Sequence, residues 1–581
     1  MTEQWLLRQR KGNYTADGER LGMNPVVLRM LHNRGITEDK DIVDFIRINK
    51  EKIFDFSGLP DIEVGARHLL KYLNNPSAKI RIIGDYDADG VMSSYVLYKG
   101  LTAIRASGID IALPDRHKDG YGLNKRLIDE AKFCGVSLIL TCDNGIASAD
   151  QVEYAKNLGI DVIVTDHHEP PYHMEGETKV YDLPVCSAVI DPKLETSTCK
   201  YKEICGAVVA FKLLVALYRE AKRSWTELEY MIQFLAIATV CDVMPLLDVN
   251  RDILRIGITQ LESTTNRGLL ALLNEQQLLG KPLTAYNIGF VLGPCINAAG
   301  RLETADKALG LLLAADDVSA ATIAQDLKQL NDTRKTMTET MTLKALNMAK
   351  QPEFLNSKVL VMYLKDCHES IAGIVAGKVK DILGKPTLIV TDGKESLKGS
   401  GRSIEAYNMF EELSKFKHLF TKFGGHSQAV GFSIIAPNFT MLQLQLNNQC
   451  ELEPKDFVKK VVIDMELPFK YINAELIDAL DALEPHGTAN TKPLFVLRNV
   501  RAKEYKLVGA NKNVCQVKLL DTTSMTEVRG VVFNNAGQFI ELCKDSDAID
   551  ICYNLEINEW KGYRNPQLII QHFRKSTQPA S

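Results

Sequence analysis

The side chains able to do chemistry stand at the ends of short apolar runs. Ile80, Ile82 and Ile83 read as a buried parallel strand, and three carboxylates follow at every second position, Asp85, Asp87 and Asp89. Gly90 lets the backbone turn sharply, and Val91 to Tyr98 reads as the start of a helix. Val136 to Leu140 leads in the same way to Asp143, inside Thr141-Cys-Asp-Asn-Gly145. Val162 to Thr165 leads to Asp166-His167-His168, and Asp242 closes an apolar helical stretch in Thr239-Val-Cys-Asp-Val-Met-Pro245. Taken singly, each is a polar turn. Together, three Asp-rich strand ends and an adjacent histidine pair, in a chain with only 11 His, have the make-up of a two-metal hydrolase site. Mixed carboxylate and imidazole ligands suit Mn²⁺, with Mg²⁺ a substitute at some cost in fit. Such a site clamps a phosphate and activates a water for in-line attack, which needs neither a covalent nucleophile nor an organic cofactor.

Further groups are suited to holding an anionic strand. Arg116 to Leu123 is a glycine-broken loop in which Arg116 can fork onto a phosphate and Tyr121 can stack on a base. Downstream stand Arg402 and Ser403 in Gly399-Ser-Gly-Arg-Ser403, and then Gly424, Gly425 and His426. Glycines expose backbone N–H groups to an anion, and the arginine, serine and histidine add side-chain donors.

The elements that must position these groups follow from the apolar pattern. Residues 1–75 read as a helical lead-in, with helices at 25–34, 38–48 and 62–73. From Ile80 the pattern becomes βαβ, with strands near 80–83, 109–113, 136–141, 161–165 and 186–190 and helices at 123–133 and 148–158. Carboxylates at the C-terminal ends of such strands face the crevice where open α/β sheets bind ligands. A mostly helical stretch completes this unit to about residue 315. A polar connector rich in helix formers covers 316–355, a second α/β unit covers 356–455, and 456–581 carries five short strands expected to form a small barrel.

At 581 residues the chain exceeds one core. A net charge of −4 does not announce a nucleic-acid binder, but a groove can be basic on an acidic protein. Twelve scattered cysteines without a CxxC pair favour reduced thiols in a cytosol. Neither a signal peptide nor a membrane span is expected.

Asp85-Tyr-Asp-Ala-Asp-Gly90, Asp143-Asn-Gly145 and Asp166-His-His168 resemble the successive motifs of the DHH phosphoesterases. Arg81, Ile82 and Ile83 stand where members with small substrates usually carry a histidine, which favours the RecJ branch. The resemblance implies an α/β multidomain protein: a DHH catalytic domain, a DHHA1 domain joined by a long helical connector, and a C-terminal OB-like barrel that binds single strands. It implies a metal-dependent, 5′→3′ exonuclease for single-stranded DNA that releases 5′-mononucleotides in recombination and repair. Asp87, Asp89, Asp143, His167, His168 and Asp242 are the implied catalytic metal ligands, with Asp85 a further one, holding two Mn²⁺ ions. Single-strand DNA-binding protein and a recombination helicase are the implied partners of a cytoplasmic monomer. Two other readings compete: a phosphodiesterase for short oligonucleotides or cyclic dinucleotides, and a non-catalytic DNA-binding relative. The resemblance also makes Asn297, Arg301 and His368 implied substrate contacts. Cys295, in Gly293-Pro-Cys-Ile-Asn297, stands where the family usually has arginine, so either a backbone contact is lost or a neighbour such as Arg301 supplies it. In the barrel, Tyr505, Lys506, Lys512, Lys518, Tyr553, Lys561, Tyr563 and Arg564 supply a basic and aromatic mix.

Overall fold

The structure is a computed structural model that describes residues 3–176, 178–509, 512–560 and 562–576; Lys561 lies outside the described residues. The chain divides into two compact units, residues 50–245 with 249–458, and residues 2–49 with 246–248 and 459–581.

The first unit begins with a parallel sheet. Strands β1 (Ile80–Ile83), β2 (Ile109–Ala112), β3 (Leu138–Thr141), β4 (Asp161–Thr165) and β5 (Ala188–Ile190) lie in the order β2-β1-β3-β4-β5, every pair parallel. Residues of β1 and β3 are buried throughout, which is why both runs are largely apolar without alternation; Arg81, the charged exception in β1, forks onto Asp110. Helices α1 (Ala88–Ile104), α2 (Lys125–Phe133) and α3 (Ala149–Asn157) make the crossovers. Chain order reverses between β1 and β3, which is where a doubly wound sheet opens its ligand crevice. Two apolar helices follow, α4 (Gly206–Glu220) and α5 (Ile232–Cys241), both buried along most of their length. Next come α6 (Gly293–Leu302) and the connector α7 (Asp317–Met348), a single helix of 32 residues.

The second sheet of this unit has strands β6 (Leu360–Tyr363), β7 (Thr387–Thr391), β8 (Leu397–Arg402), β9 (Phe420–His426) and β10 (Ala429–Ile434), in the order β9-β10-β8-β7-β6. Only β6 and β7 pair in parallel, joined by the crossover helix α8 (Glu369–Leu383).

The other unit is a closed barrel of β11 (Phe495–Val508), β12 (Val514–Asp521), β13 (Thr526–Val532), β14 (Ile549–Trp560) and β15 (Tyr563–Lys575). Pairing runs β11-β12-β13-β15-β14 and returns from β14 to β11. Strands β11, β14 and β15 run to 14, 12 and 13 residues, longer than the short strands expected. Glu3–Leu7, not anticipated as a strand, pairs in parallel with Lys459–Ile463. Val27, Leu28, Met30, Leu31, Ile42 and Phe45 share one core with Phe495, Leu519, Ile551 and Tyr553. Arg34 forks onto Asp464 at 2.9 Å through both Nε and Nη2, and its Nη1 reaches Asn490 Oδ1 at 2.8 Å. The N-terminal helices are thus part of the barrel's own core.

Candidate metal centre and strand-binding surface

The turn after β1 holds the first carboxylates. Asp87 is the N-cap of α1, its Oδ1 accepting from the N–H groups of Asp89 (3.0 Å) and Gly90 (3.2 Å). A Cβ on Gly90 would stand 2.4 Å from the Asp85 carbonyl oxygen, so this turn closes only around glycine. Asp85 is buried and accepts from Gly122 N–H at 3.3 Å. The Asp89 carboxylate points instead at the start of α4, accepting from Gly206 N–H (2.7 Å) and Ala207 N–H (2.8 Å). The positive end of that helix supports a buried negative charge. A Cβ on Gly206 would be 2.6 Å from Asp143 Cβ, so the helix start must be glycine to come this close. Asp143 itself has φ of 60°, a left-handed conformation uncommon outside glycine, and is among the strained backbone positions that cluster at functional sites.

These groups converge on His167. Its Nε2 stands 3.1 Å from Asp143 Oδ1, 3.5 Å from Asp242 Oδ2 and 3.7 Å from Asp89 Oδ2. Two sets of ligand atoms lie within 4.8 Å of one another: Asp143, Asp166, His167 and His168 in one, and Asp89, His167 and Asp242 in the other. Asp242 is brought in as the C-cap of α5.

The buried carboxylates of this set repel one another. Burial pushes the Asp143 carboxyl well above the usual range, and the charges of Asp89, Asp87, Asp242 and Asp85 push it further. Burial, then the Asp87 charge, raises Asp89 to about 6, against the Ala207 and Gly206 amides. Asp242 rises to about 8, through burial and then Asp89 and Asp87. Burial lowers His167 to about 3, with the neighbouring His168 adding to the effect. A neutral imidazole whose Nε2 faces buried carboxylates, with Asp242 Oδ2 lacking a hydrogen-bond partner, is a donor set that a divalent cation satisfies.

Asp166 was only the first letter of a motif in the sequence, and the structure shows what it does. Its Oδ1 accepts from the N–H groups of His167 (2.7 Å) and His168 (3.2 Å) and from His168 Nδ1 (2.7 Å), while Oδ2 accepts from Ile146 N–H at 2.9 Å. Burial opposes its ionisation, but these bonds and the His168 charge hold it down at about 2. His168 rises to about 9, the Asp166 contact outweighing burial. Asp191, at the end of β5, was also missed. It is fully buried, one of its oxygens has no partner, and burial followed by the Asp166 charge raises it to about 8. The signal for it was present, a carboxylate closing one more strand in Ile190-Asp-Pro192.

The side chains expected to contact a strand differ in what they bond within the protein. Arg116 lies 3.8 Å from the centroid of the Tyr86 ring and donates to the Gly300 carbonyl. Tyr121 donates to the Asp143 carbonyl at 2.6 Å while its ring stays about half exposed. Arg301 donates to the Ser370 carbonyl at 2.9 Å, and burial followed by the charges of Arg116 and Arg334 lowers it to about 10. Arg402 bonds the Gly401 carbonyl, and a Cβ on Gly373 would meet its Nη2 at 2.9 Å, so it lies along α8. His426 closes β9 and is exposed, and Gly424 and Gly425 precede it on that strand.

Other side chains among them make hydrogen bonds or packing contacts within the protein. Asn297 Oδ1 accepts from Ala88 N–H at 2.9 Å, bracing the first-motif turn from α6. Ser403 is buried and its hydroxyl donates to the Tyr407 carbonyl at 2.5 Å. His368 is the N-cap of α8 and packs edge-on against His117, whose Nδ1 reaches Glu369 Oε1 at 3.0 Å. Cys295 is fully buried, its sulfur receiving Gln276 Nε2 (3.3 Å) and Asn331 Nδ2 (3.4 Å). The empty phosphate position expected at Cys295 is therefore not a surface position in this chain. In the barrel, Tyr553 is likewise no strand contact, because it is fully buried and donates to the Leu467 carbonyl. Lys518 is paired with Glu527, and Arg564 with Asp478 and Glu559.

Comparison with known proteins agrees along the chain. Family models match in three places: the DHH family N-terminal domain over residues 79–239, the DHHA1 domain over 356–451, and the RecJ OB domain over 463–572. The single-stranded-DNA-specific exonuclease RecJ of Escherichia coli is 31% identical over 594 residues, 98% of this chain and 99% of that protein. This chain belongs to the RecJ family. The Bacillus subtilis RecJ is 33% identical over 560 residues, 95% of this chain and 68% of the relative. The crystal structure of Thermus thermophilus RecJ in complex with Mn²⁺ superposes with a TM-score of 0.84 at 26% identity, covering 99% of this chain and 80% of that one. The DHH, DHHA1 and OB architecture of the RecJ family is therefore the architecture of this chain.

Proposed function

We propose that the chain is a metal-dependent exonuclease that hydrolyses single-stranded DNA from the 5′ end and releases 5′-mononucleotides in recombination and repair. The observation behind this reading is the convergence of Asp89, Asp143 and Asp242 on His167 Nε2, at the switch point of a parallel sheet, in a chain that matches RecJ proteins over nearly its whole length. The 5′→3′ polarity rests on family membership.

Asp87, Asp89, Asp143, His167, His168 and Asp242 would hold two Mn²⁺ ions, or Mg²⁺ with a poorer fit to imidazole, with Asp85 and Asp166 supporting from behind. Such ions supply positive charge at the phosphate and the acidity that makes water a nucleophile near neutral pH. The chain does the positioning. The start of α4 holds Asp89, Asn297 braces the turn that carries Asp87, and Asp166 fixes the ring of His168. Arg116, Arg301, Arg402 and His426 would neutralise the strand's phosphates, and Tyr121 would face a base. Twelve free thiols suit a reducing cytoplasm, and no described helix is long and apolar enough to cross a membrane. Single-strand DNA-binding protein and a recombination helicase are the partners this reading proposes.

The test is a time course on long single strands labelled at either end, with Mn²⁺, Mg²⁺ or chelator. Mononucleotide release from the 5′ label, abolished by chelation, is the expected result. Internal cuts, release from the 3′ end, or cleavage confined to dinucleotides would overturn it.

A further inference from the structure

Tyr286 and Phe290 stack on one another with ring centroids 4.9 Å apart and planes 22° from parallel, yet they are 64% and 67% exposed. Two large rings stacked in water are an unusual use of surface, because each gives up apolar burial it could have had in a core. They occupy the short helix Ala285–Asn287 and the π-helical turn Ile288–Leu292 that runs into α6. Such wide turns recur at functional sites.

The neighbouring face of the same turn fixes where the rings sit. A Cβ on Gly289 would stand 3.1 Å from Val240 Cγ1, and one on Gly293 would stand 2.3 Å from Cys241 Sγ. Both glycines therefore press the turn against the last residues of α5, and the next residue is Asp242 at the metal centre. Val243, directly after it, is another exposed apolar side chain at 64%. The ring pair is thus anchored to the helix end that delivers a metal ligand, and each ring keeps its outer face open.

We propose that Tyr286 and Phe290 form a base-stacking platform for single-stranded nucleic acid, a subsite continuous with the metal centre that grips bases of the strand being degraded. This rests on the nuclease reading of the site. A π-face accepts any base without selecting sequence, which is what a processive single-strand enzyme requires.

The test places 2-aminopurine at successive positions of a single strand and follows its fluorescence and affinity with the full chain, the metal being chelated to prevent cleavage. Wild type should quench the probe at one or two adjacent positions. The double variant Tyr286→Ala, Phe290→Ala should lose that quenching and bind on the order of tenfold more weakly. Tyr286→Leu with Phe290→Leu, which keeps the apolar area, should lose quenching as well, and Tyr286→Phe with Phe290→Tyr should retain it. Unchanged quenching and affinity in the alanine pair would overturn the platform, as would a leucine pair equal to wild type. Loss of self-association in place of strand affinity would assign the patch to a second copy and overturn it too. Wild-type cleavage of labelled strands is run in parallel. Its absence overturns the nuclease reading and this one with it, whereas cleavage with unmoved quenching overturns the platform alone.

Discussion

Asp143 stands at the centre of four other carboxylates with a left-handed backbone, and a single substitution there tests the metal reading from two sides. Asp143→Asn keeps the shape and removes one charge from a buried repelling set. In the metal-free protein it should raise the melting temperature, and it should shrink the upward shift that Mn²⁺ gives the wild type, because a ligand bound only to the folded state stabilises by mass action. Activity should fall by about a hundredfold or more, as expected when a first ligand or its orientation is lost. Melting curves with and without Mn²⁺ check this, and an undiminished Mn²⁺ shift would remove Asp143 from the ligand set. At Cys295 the expectation differs from what the motif alone implied. Cys295→Arg would force a long cation into a fully buried position beside Asn331, whose Oδ1 already holds Arg334 at 2.8 Å. Overpacking alone should cost about 1–3 kcal/mol, and strand affinity should not rise. A urea midpoint measured beside a salt series of binding decides between this and a gained phosphate contact.

Among the elements, α4 joins the core to the site. Its start carries the amides on Asp89, and further along it buries Lys212 completely. The Lys212 ammonium donates to the carbonyls of Lys52, Ile53 and Asp55, closing the end of the short helix Glu51–Phe54. Burial lowers its pKa from 10.5 to about 8. Between those values the unfolded chain keeps a proton that the folded chain has released. The unfolded state then binds more protons, so the contribution of Lys212 to stability rises with pH over that window, by at most about 1.4 kcal/mol per pH unit. Lys212→Met should remove that rise and leave carbonyls unpaired, costing about 1–3 kcal/mol near neutral pH. The check is the difference between wild-type and variant urea midpoints from pH 7.5 to 10, which cancels the other titrating groups; a pH-independent difference would refute it.

For the whole molecule, residues 2–49 belong to the same compact unit as 459–581. Deleting the barrel alone would strip the partners from Val27, Leu28, Met30, Leu31, Ile42 and Phe45. At about 1.5–3 kcal/mol per buried apolar side chain, that loss is comparable with the whole stability of a domain. A chain ending near residue 458 should therefore aggregate through its N-terminal helices. One spanning residues 50–458 should stay in solution and keep its Mn²⁺-induced melting shift, because the proposed ligands all lie within that unit. It should cut short oligonucleotides but release long strands early, having lost the barrel's surface. Sedimentation of the two truncations, with processivity on a long strand, is the comparison; equal processivity would deny the barrel its role.

Much of this could be read without coordinates because it is local. The parallel strands and crossover helices follow from short-range apolar pattern and turn residues, and β1 and β4 fall on the expected residues. The ligand types could be read for the same reason, since each motif closes its own strand. What tertiary structure decided is every relation over long separations. Glu3–Leu7 finds its partner strand at Lys459–Ile463, and the N-terminal helices find their core among the barrel strands. Asn297, expected to touch substrate, braces a turn 209 residues earlier, and Cys295 proves to be core. Asp166 and Asp191 are ordinary strand-end aspartates until the fold buries them beside one another. An amino-acid type and its immediate neighbours state which bonds a side chain is able to make; which of those bonds it makes depends on what the rest of the chain brings within about 3 Å.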